Sequence, residues 1–281
     1  ALVVGSIAFH LLSPWWQTPI AANWGLIDSA LHITLLICAV AFVSLNLFLA
    51  YSLMRYRHRP GSRARYEPEN ASLEKRLTFW TAIGIAGMLA PGLVAWSKFV
   101  TVPNDASVVE AIGQQWLWTF RFPGPDGVLG TAAVGNMTAD NPFGLDPRDP
   151  FGRDDILVEA NELHLPLGKP IKMVLRSKDV LHDFYVPQFR ARMDLVPGIV
   201  TYFWMTPTKP GTYEILCAEL CGTGHYAMRG KVIVQSRKEF DHWLAQQPSF
   251  GQMQTQASVP ASSARLASAD TSTASDNRGI R

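Results

Sequence analysis

WLWTFRF, Trp116 to Phe122, decides the fold of the second half of the chain. Trp116, Trp118, Phe120 and Phe122 alternate with Leu117, Thr119 and Arg121, the period of two that a strand shows when one face packs on a core. Runs of the same kind follow: ILVEA from Ile156, KPIKMVLRS from Lys169, IVTYFWM from Ile199, TYEILC from Thr212 and KVIVQ from Lys231. Pro123-Gly124, Pro166, Pro197-Gly198 and Pro210-Gly211 punctuate them. Many short strands with such turns predict a sandwich or barrel over 98–250, closed by a short amphipathic helix from Arg237 to Gln246.

Upstream of Lys98 the pattern is different. The 26 residues between Asp28 and Arg55 contain no Asp, Glu, Lys or Arg, and neither do the 21 between Arg76 and Lys98. A helix needs about 20 apolar residues to cross the hydrocarbon core, so 27–97 is expected to form a transmembrane hairpin. Its connecting loop, 55–76, carries seven Lys/Arg against three Glu and is expected on the cytoplasmic side, with both termini outside. His32, Asn46 and Pro91 fall inside the spans, where polar groups are expected to face other helices. The first segment, 1–26, begins with apolar Ala1 to Leu12, too short to span, as in the remnant of a signal sequence or an incomplete N-terminus.

Composition supports this division. Of 281 residues, 48% are hydrophobic and only 17% charged, against roughly 25% charged in soluble globular chains. The net charge of +2 conceals an uneven distribution, because Thr101 to Phe250 holds 17 acids against 14 bases. That argues against a nucleic-acid binder, which carries a basic stripe on its folded part. Two stretches do not fit the β domain. The 32 residues of the insertion 124–155 are rich in Gly, Pro, Asn and Asp, and read as a solvated excursion bearing Asp126, Asp140, Asp146, Asp149, Asp154 and Asp155. The tail, 251–281, has almost no large apolar residues and reads as disordered.

The chemistry is concentrated in CAELCGTGHYAM, which places Cys217, Cys221, His225 and Met228 within twelve residues. Gly222 and Gly224 oppose a helix and favour a loop wrapped around something. Thiolate, thioether and imidazole together select copper over calcium or magnesium. Other readings stand beside this one: a Cys217–Cys221 disulfide in an oxidising compartment, a zinc site, although zinc seldom uses thioether sulfur, and a mononuclear blue-copper site, for which a second thiolate is one too many. Two thiolates bridging two coppers use every side chain of the motif if one more histidine is available. His182 in KDVLHDFYVPQ, 35 positions before Cys217 at a strand end, is the candidate; His164, between Leu163 and Leu165, reads as an ordinary strand residue.

GQQWLWTFRF from Gly113, KDVLHDFYVP with RMDLVPG shortly after it, and CAELCGTGHYAM together resemble the copper-A domain of subunit II of the haem-copper cytochrome c oxidases. The resemblance runs from the hairpin through about Gln247. It implies a cupredoxin-like Greek-key β barrel on a two-helix membrane anchor. It also implies bridging thiolates at Cys217 and Cys221, terminal imidazoles at His182 and His225, an axial ligand at Met228, and a backbone-carbonyl ligand at Glu219. The Glu219 carboxylate would further reach a magnesium or manganese ion shared with subunit I, and Asp179 and Asp194 match acidic positions of the motifs. Trp116 matches the exposed aromatic through which electrons arrive from a c-type cytochrome. The implied partners are subunit I, with its haem and further copper, and the other membrane subunits. The implied setting is a bacterial-type inner or mitochondrial inner membrane, with the copper domain on the periplasmic or outer side, in a complex that reduces oxygen to water and translocates protons. Three positions depart from the pattern: Arg121 stands where an acidic docking residue is common, Leu117 replaces an aromatic, and Leu77 stands where a glutamate at a proton-channel mouth is common, with Glu74 one turn earlier. The insertion is also atypical, and its acidity is expected to replace what Arg121 removes.

Overall fold

A computed structural model describes residues 2–12, 20–22, 25–61, 63, 66, 68–138 and 141–257. Arg65, Asp140 and residues 258–281 of the expected disordered tail lie outside the described residues. The chain divides into two compact units, Ala1–Asn104 with Gln188–Arg190, and Asp105–Pro187 with Ala191–Arg281.

The first unit is helical. Helix α1, Leu2–Leu12, has 11 residues and a length of ~16 Å, about half a hydrocarbon core. Helices α2, Gly25–Arg55, and α3, Ala71–Val100, are each long and apolar enough to cross a membrane, and they pack against each other. Asn70 caps α3 by accepting the Leu73 amide proton at 3.0 Å. The Asn46 side-chain amide donates to the Phe42 carbonyl one turn back at 2.7 Å. Apolar side chains such as Leu36, Phe42, Leu45 and Trp80 are exposed along both helices, as lipid-facing residues would be.

Among the described residues the second unit contains ten strands: β1 Ser107–Gln114, β2 Leu117–Phe122, β3 Ile156–Val158, β4 Glu162–Pro166, β5 Ile171–Ser177, β6 His182–Val186, β7 Ala191–Leu195, β8 Thr201–Met205, β9 Gly211–Cys217 and β10 Arg229–Gln235. They form two five-stranded sheets, ordered β3-β2-β1-β5-β8 and β4-β10-β9-β6-β7. The β1–β5 and β4–β10 pairs are parallel and the others antiparallel, so the chain crosses repeatedly between sheets. Trp118, Phe184 and Phe203 meet between them, with ring centroids 5.5 and 5.8 Å apart. The run ILVEA from Ile156 is extended only as β3, and Asn161, with φ +53 and accepting the Trp118 amide proton at 2.6 Å, separates it from β4. Helix α5, Arg237–Leu244, starts with a Ser236/Glu239 capping box and packs Phe240 and Trp243 on Phe122. His164 stacks on Trp243 at 3.9 Å, the structural role expected of a strand residue.

Three expectations change. First, the insertion is not a solvated excursion: it covers the outer face of the first sheet, where Phe143 and Leu145 form a second core with Ile112, Leu157 and Phe250. Second, the segment expected to be featureless from residue 251 starts with helix α6, Phe250–Ala257, held by the fully buried Phe250 side chain, which is why order extends past 250. Third, Arg121 lies in neither a docking patch nor solvent. It is 3% exposed, and its guanidinium donates to Glu110 Oε2, to Asp155 Oδ2 at 2.8 Å and to the Gly130 carbonyl at 2.9 Å. Arg176 completes the cluster, bonded to Glu110 and to the Phe143 carbonyl. Both faces of β2 are therefore buried: its aromatic face by the second sheet, its Thr119 and Arg121 face by the insertion.

The insertion's described aspartates are also tied up internally. Asp149 caps the short helix α4, Pro150–Arg153, and accepts the Thr131 amide proton; Asp146 pairs with Arg148, Asp126 accepts from Val128, and Asp154 packs against Gly124. Burial pushes the Asp155 carboxyl up to about 6 against the pull of Arg121.

Candidate metal centre

The ligand-bearing residues meet at one end of the second sheet. His182 opens β6 and Cys217 ends β9, and these strands pair through Phe184↔Cys217 and Tyr185↔Leu216. The chain then leaves β9, loops through 218–228 and returns as β10; the Cys217 amide closes the loop on the Met228 carbonyl at 3.2 Å. Within it, the His225 and Ala227 amides donate to the Gly222 and Gly224 carbonyls, winding a 3-10 turn over His225–Ala227.

This winding gathers six donor atoms. The two cysteine sulfurs stand 3.7 Å apart with no disulfide between them. Cys217 Sγ lies 4.0 Å from His182 Nδ1 and 3.2 Å from the Glu219 carbonyl. Cys221 Sγ lies 3.5 Å from His225 Nδ1 and 3.8 Å from Met228 Sδ. The ligand atoms of His182, Cys217 and Cys221 all fall within 4.8 Å of one another, close enough to hold a metal ion. His182, Cys221 and Met228 are buried, whereas Cys217 and His225 are half-buried. Soft sulfur with imidazole is a donor set for copper rather than for a hard cation.

Hydrogen bonds preset this geometry. His182 Nε2 bonds to Asp179 Oδ1 at 2.8 Å, which turns Nδ1 toward the sulfurs, the second-sphere arrangement common for metal-binding imidazoles. Asp179 in turn accepts the Gln115 amide proton at 2.7 Å. Burial alone would push the Cys217 thiol up, but His182 and the surrounding amide and thiol groups bring it down to about 6. Burial and the neighbouring Cys217 push Cys221 up to about 12. One thiol thus ionises readily and the second resists until a cation is available to share.

Every expected site residue except Trp116 contributes to this cluster. Trp116 lies beside it, in the turn between β1 and β2 rather than in the strand, 38% exposed, with its indole Nε1 3.3 Å from the Cys221 carbonyl. The Glu219 carboxylate points instead toward Arg192, at 3.6 Å. Two contributors were not singled out from the sequence. Gln115 donates its side-chain amide to the Cys221 carbonyl at 2.8 Å, and Arg192 reaches Asp183, Glu219 and the Ala218 carbonyl. Gln115 and Arg192 both lay inside quoted motifs, GQQWLWTFRF and RMDLVPG, but neither carries metal-ligand chemistry. Asp183 faces Asp194 in register across β6 and β7, and burial followed by that neighbour pushes it up to about 7.

The profile of the family described as cytochrome C oxidase subunit II, periplasmic domain, matches residues 107–236. The alternative cytochrome c oxidase subunit 2 of Bradyrhizobium diazoefficiens is 56% identical over 249 residues, covering 89% of this chain and 90% of the relative. Cytochrome c oxidase subunit 2 of Thermostichus vulcanus is 29% identical over 246 residues, covering 79% and 75%. Among solved structures, the periplasmic domain of subunit II of cytochrome oxidase from Bradyrhizobium japonicum is 28% identical with a TM-score of 0.38, covering 52% of this chain and 95% of that one. With the relative at 56% identity matched over nearly its whole length, the chain belongs to the cytochrome c oxidase subunit II family.

Proposed function

We propose that this chain is the electron-accepting subunit of a respiratory oxidase, holding a binuclear copper-A centre between Cys217, Cys221, His182, His225, Met228 and the Glu219 carbonyl. The observation that carries this reading is the convergence of two cysteine sulfurs, two imidazole Nδ1 atoms, one thioether and one carbonyl around the Cys217–Cys221 pair. When bound, the copper pair supplies reversible one-electron chemistry. The protein's part is to hold the donors still, exclude water and set the approach of the electron donor. His182 is oriented by Asp179, and the closed 218–228 loop fixes the sulfurs, so the ligands need not move when the charge changes. Trp116, partly exposed beside Cys221, is the point at which electrons arrive from a c-type cytochrome. From here they pass to haem in subunit I, where oxygen is reduced to water with proton translocation. Glu219, half-buried at the rim, is suited to a magnesium or manganese ion shared with subunit I, since a carboxylate prefers a hard cation.

The two apolar helices support a membrane anchor, and the family's periplasmic domain supports a copper unit on the outer side of a bacterial-type inner membrane. Copper analysis with low-temperature electron paramagnetic resonance of the purified chain tests the site. Two coppers sharing one unpaired electron, with a seven-line hyperfine pattern, are expected. One copper with four lines, or none, removes the reading.

A further inference from the structure

The Trp116 indole does not merely lie near the copper loop; the loop is shaped to receive it. A Cβ at Gly224 would sit 2.3 Å from Trp116 Cδ2, 2.6 Å from Cε3 and 2.8 Å from Cε2, so the indole ring lies where a side chain would otherwise stand. A Cβ at Gly222 would meet Gln115 Nε2 at 2.8 Å, and this glycine also has φ +118, a conformation other residues rarely adopt. In this seat the indole Nε1 and the Gln115 amide both donate to the Cys221 carbonyl, at 3.3 and 2.8 Å. The partly exposed indole is thereby joined to Cys221 Sγ by one hydrogen bond and the covalent bonds of a single residue.

We propose that Gly224 is a positioning residue for electron uptake: its missing side chain lets the Trp116 indole lie on the loop and donate to the Cys221 carbonyl. The inference rests on Trp116 being where electrons arrive. In the step concerned, one electron leaves the ferrous haem of a c-type cytochrome, which becomes ferric, and reduces the copper pair by one; no bond forms or breaks and no proton moves. A methyl group at position 224 collides with ring carbons rather than with the end of a flexible chain, so the indole must tilt or lift.

The test uses the assembled oxidase carrying Gly224→Ala, together with the full chain labelled with 5-fluorotryptophan. The Trp116 fluorine resonance is identified as the one absent from Trp116→Phe. In Gly224→Ala that resonance should move while those of the other tryptophans stay. The first-order reduction rate at saturating ferrous cytochrome should fall several-fold. The half-saturating cytochrome concentration and the copper resonance spectrum should not change, a combination that general damage to the domain would not give. A moved resonance with an unaltered rate overturns the inference, and so does an unmoved resonance. If Gly224→Ala fails to load copper, the double variant Trp116→Ala/Gly224→Ala, which removes the ring altogether, decides: recovered copper locates the damage at the ring–glycine contact and supports the seat, and continued loss overturns it. Trp116→Ala separates the two levels. An unchanged reduction rate there removes Trp116 as the arrival point, whereas a slow Trp116→Ala beside a normal Gly224→Ala removes only the seat.

Discussion

The metal loop, Cys217 to Met228, and the insertion, 124–155, are both irregular, glycine-containing and polar, yet they are organised in opposite ways. The loop draws most of its functional atoms from a dozen consecutive residues and borrows one histidine, His182, from a neighbouring strand. The insertion has no local theme. Its order depends on charges and apolar groups far apart in the chain: Asp155 meets Arg121, Phe143 O meets Arg176, and Phe143 and Leu145 meet Phe250. A short-range constellation can be recognised from spacing, whereas a long-range one can only be found once the strands have paired. The comparison also separates candidate site from scaffold, since the loop gathers donor atoms and the insertion covers a sheet.

The largest expected effect is on the loop. Cys217→Ser should abolish the proposed two-copper centre, because a hydroxyl replaces the thiolate proposed to bridge, while the insertion stays folded. Retained two-copper stoichiometry would break the assignment of the bridge.

Next in size is a break in the insertion's anchor. Arg121→Leu leaves Asp155 buried without its cation while Glu110 keeps only Arg176, and removing one partner from a buried pair costs about 3–5 kcal/mol. Melting of the detergent-solubilised chain should show that loss with an unaltered copper spectrum. A simultaneous change in the spectrum would show that the two regions are coupled.

Asp155→Asn should act more gently and with a pH signature. An aspartate held at about 6 in the folded chain, above its ordinary value of 3.8, contributes stability that is fully present below pH ~4 and lost as the pH rises through ~6. The wild-type advantage over the asparagine variant should therefore shrink by ~3 kcal/mol between pH 4 and pH 7. A difference in stability that does not vary with pH would mean the carboxyl is ionised throughout.

The smallest effect is expected from Asp126→Asn combined with Asp146→Asn. Because these carboxylates serve local hydrogen bonds and one exposed ion pair, neutralising them should leave the salt dependence of cytochrome c turnover unchanged. A weaker salt slope would make the insertion a docking surface after all.

Much of the architecture was legible in the linear pattern. Uncharged runs of membrane-spanning length marked α2 and α3, and alternation from Trp118 to Phe122 marked β2. Other elements were not. Strand β1 reads SVVEAIGQ and β7 reads ARMDL, where buried Glu110 and the charges of β7 blur any alternation, and each needs partner strands to make sense of its polar residues. Arg121 illustrates the difficulty: an arginine in a strand reads as a solvent-facing residue, and only the convergence of Glu110, Asp155 and the Gly130 carbonyl makes its burial tolerable.

By itself the sequence determined two long apolar helices, a β domain after them, and the side chains that the fold gathers into the candidate metal cluster. Segment length, period and donor spacing are local quantities that require no knowledge of distant neighbours. The tertiary structure decided that the insertion forms a second core, that order continues to α6, and that the Trp116 indole lies on Gly224. Those outcomes depend on which side chains from distant strands arrive at the same place, and on whether buried charges find partners there. Burial and pairing are properties of the packed chain as a whole.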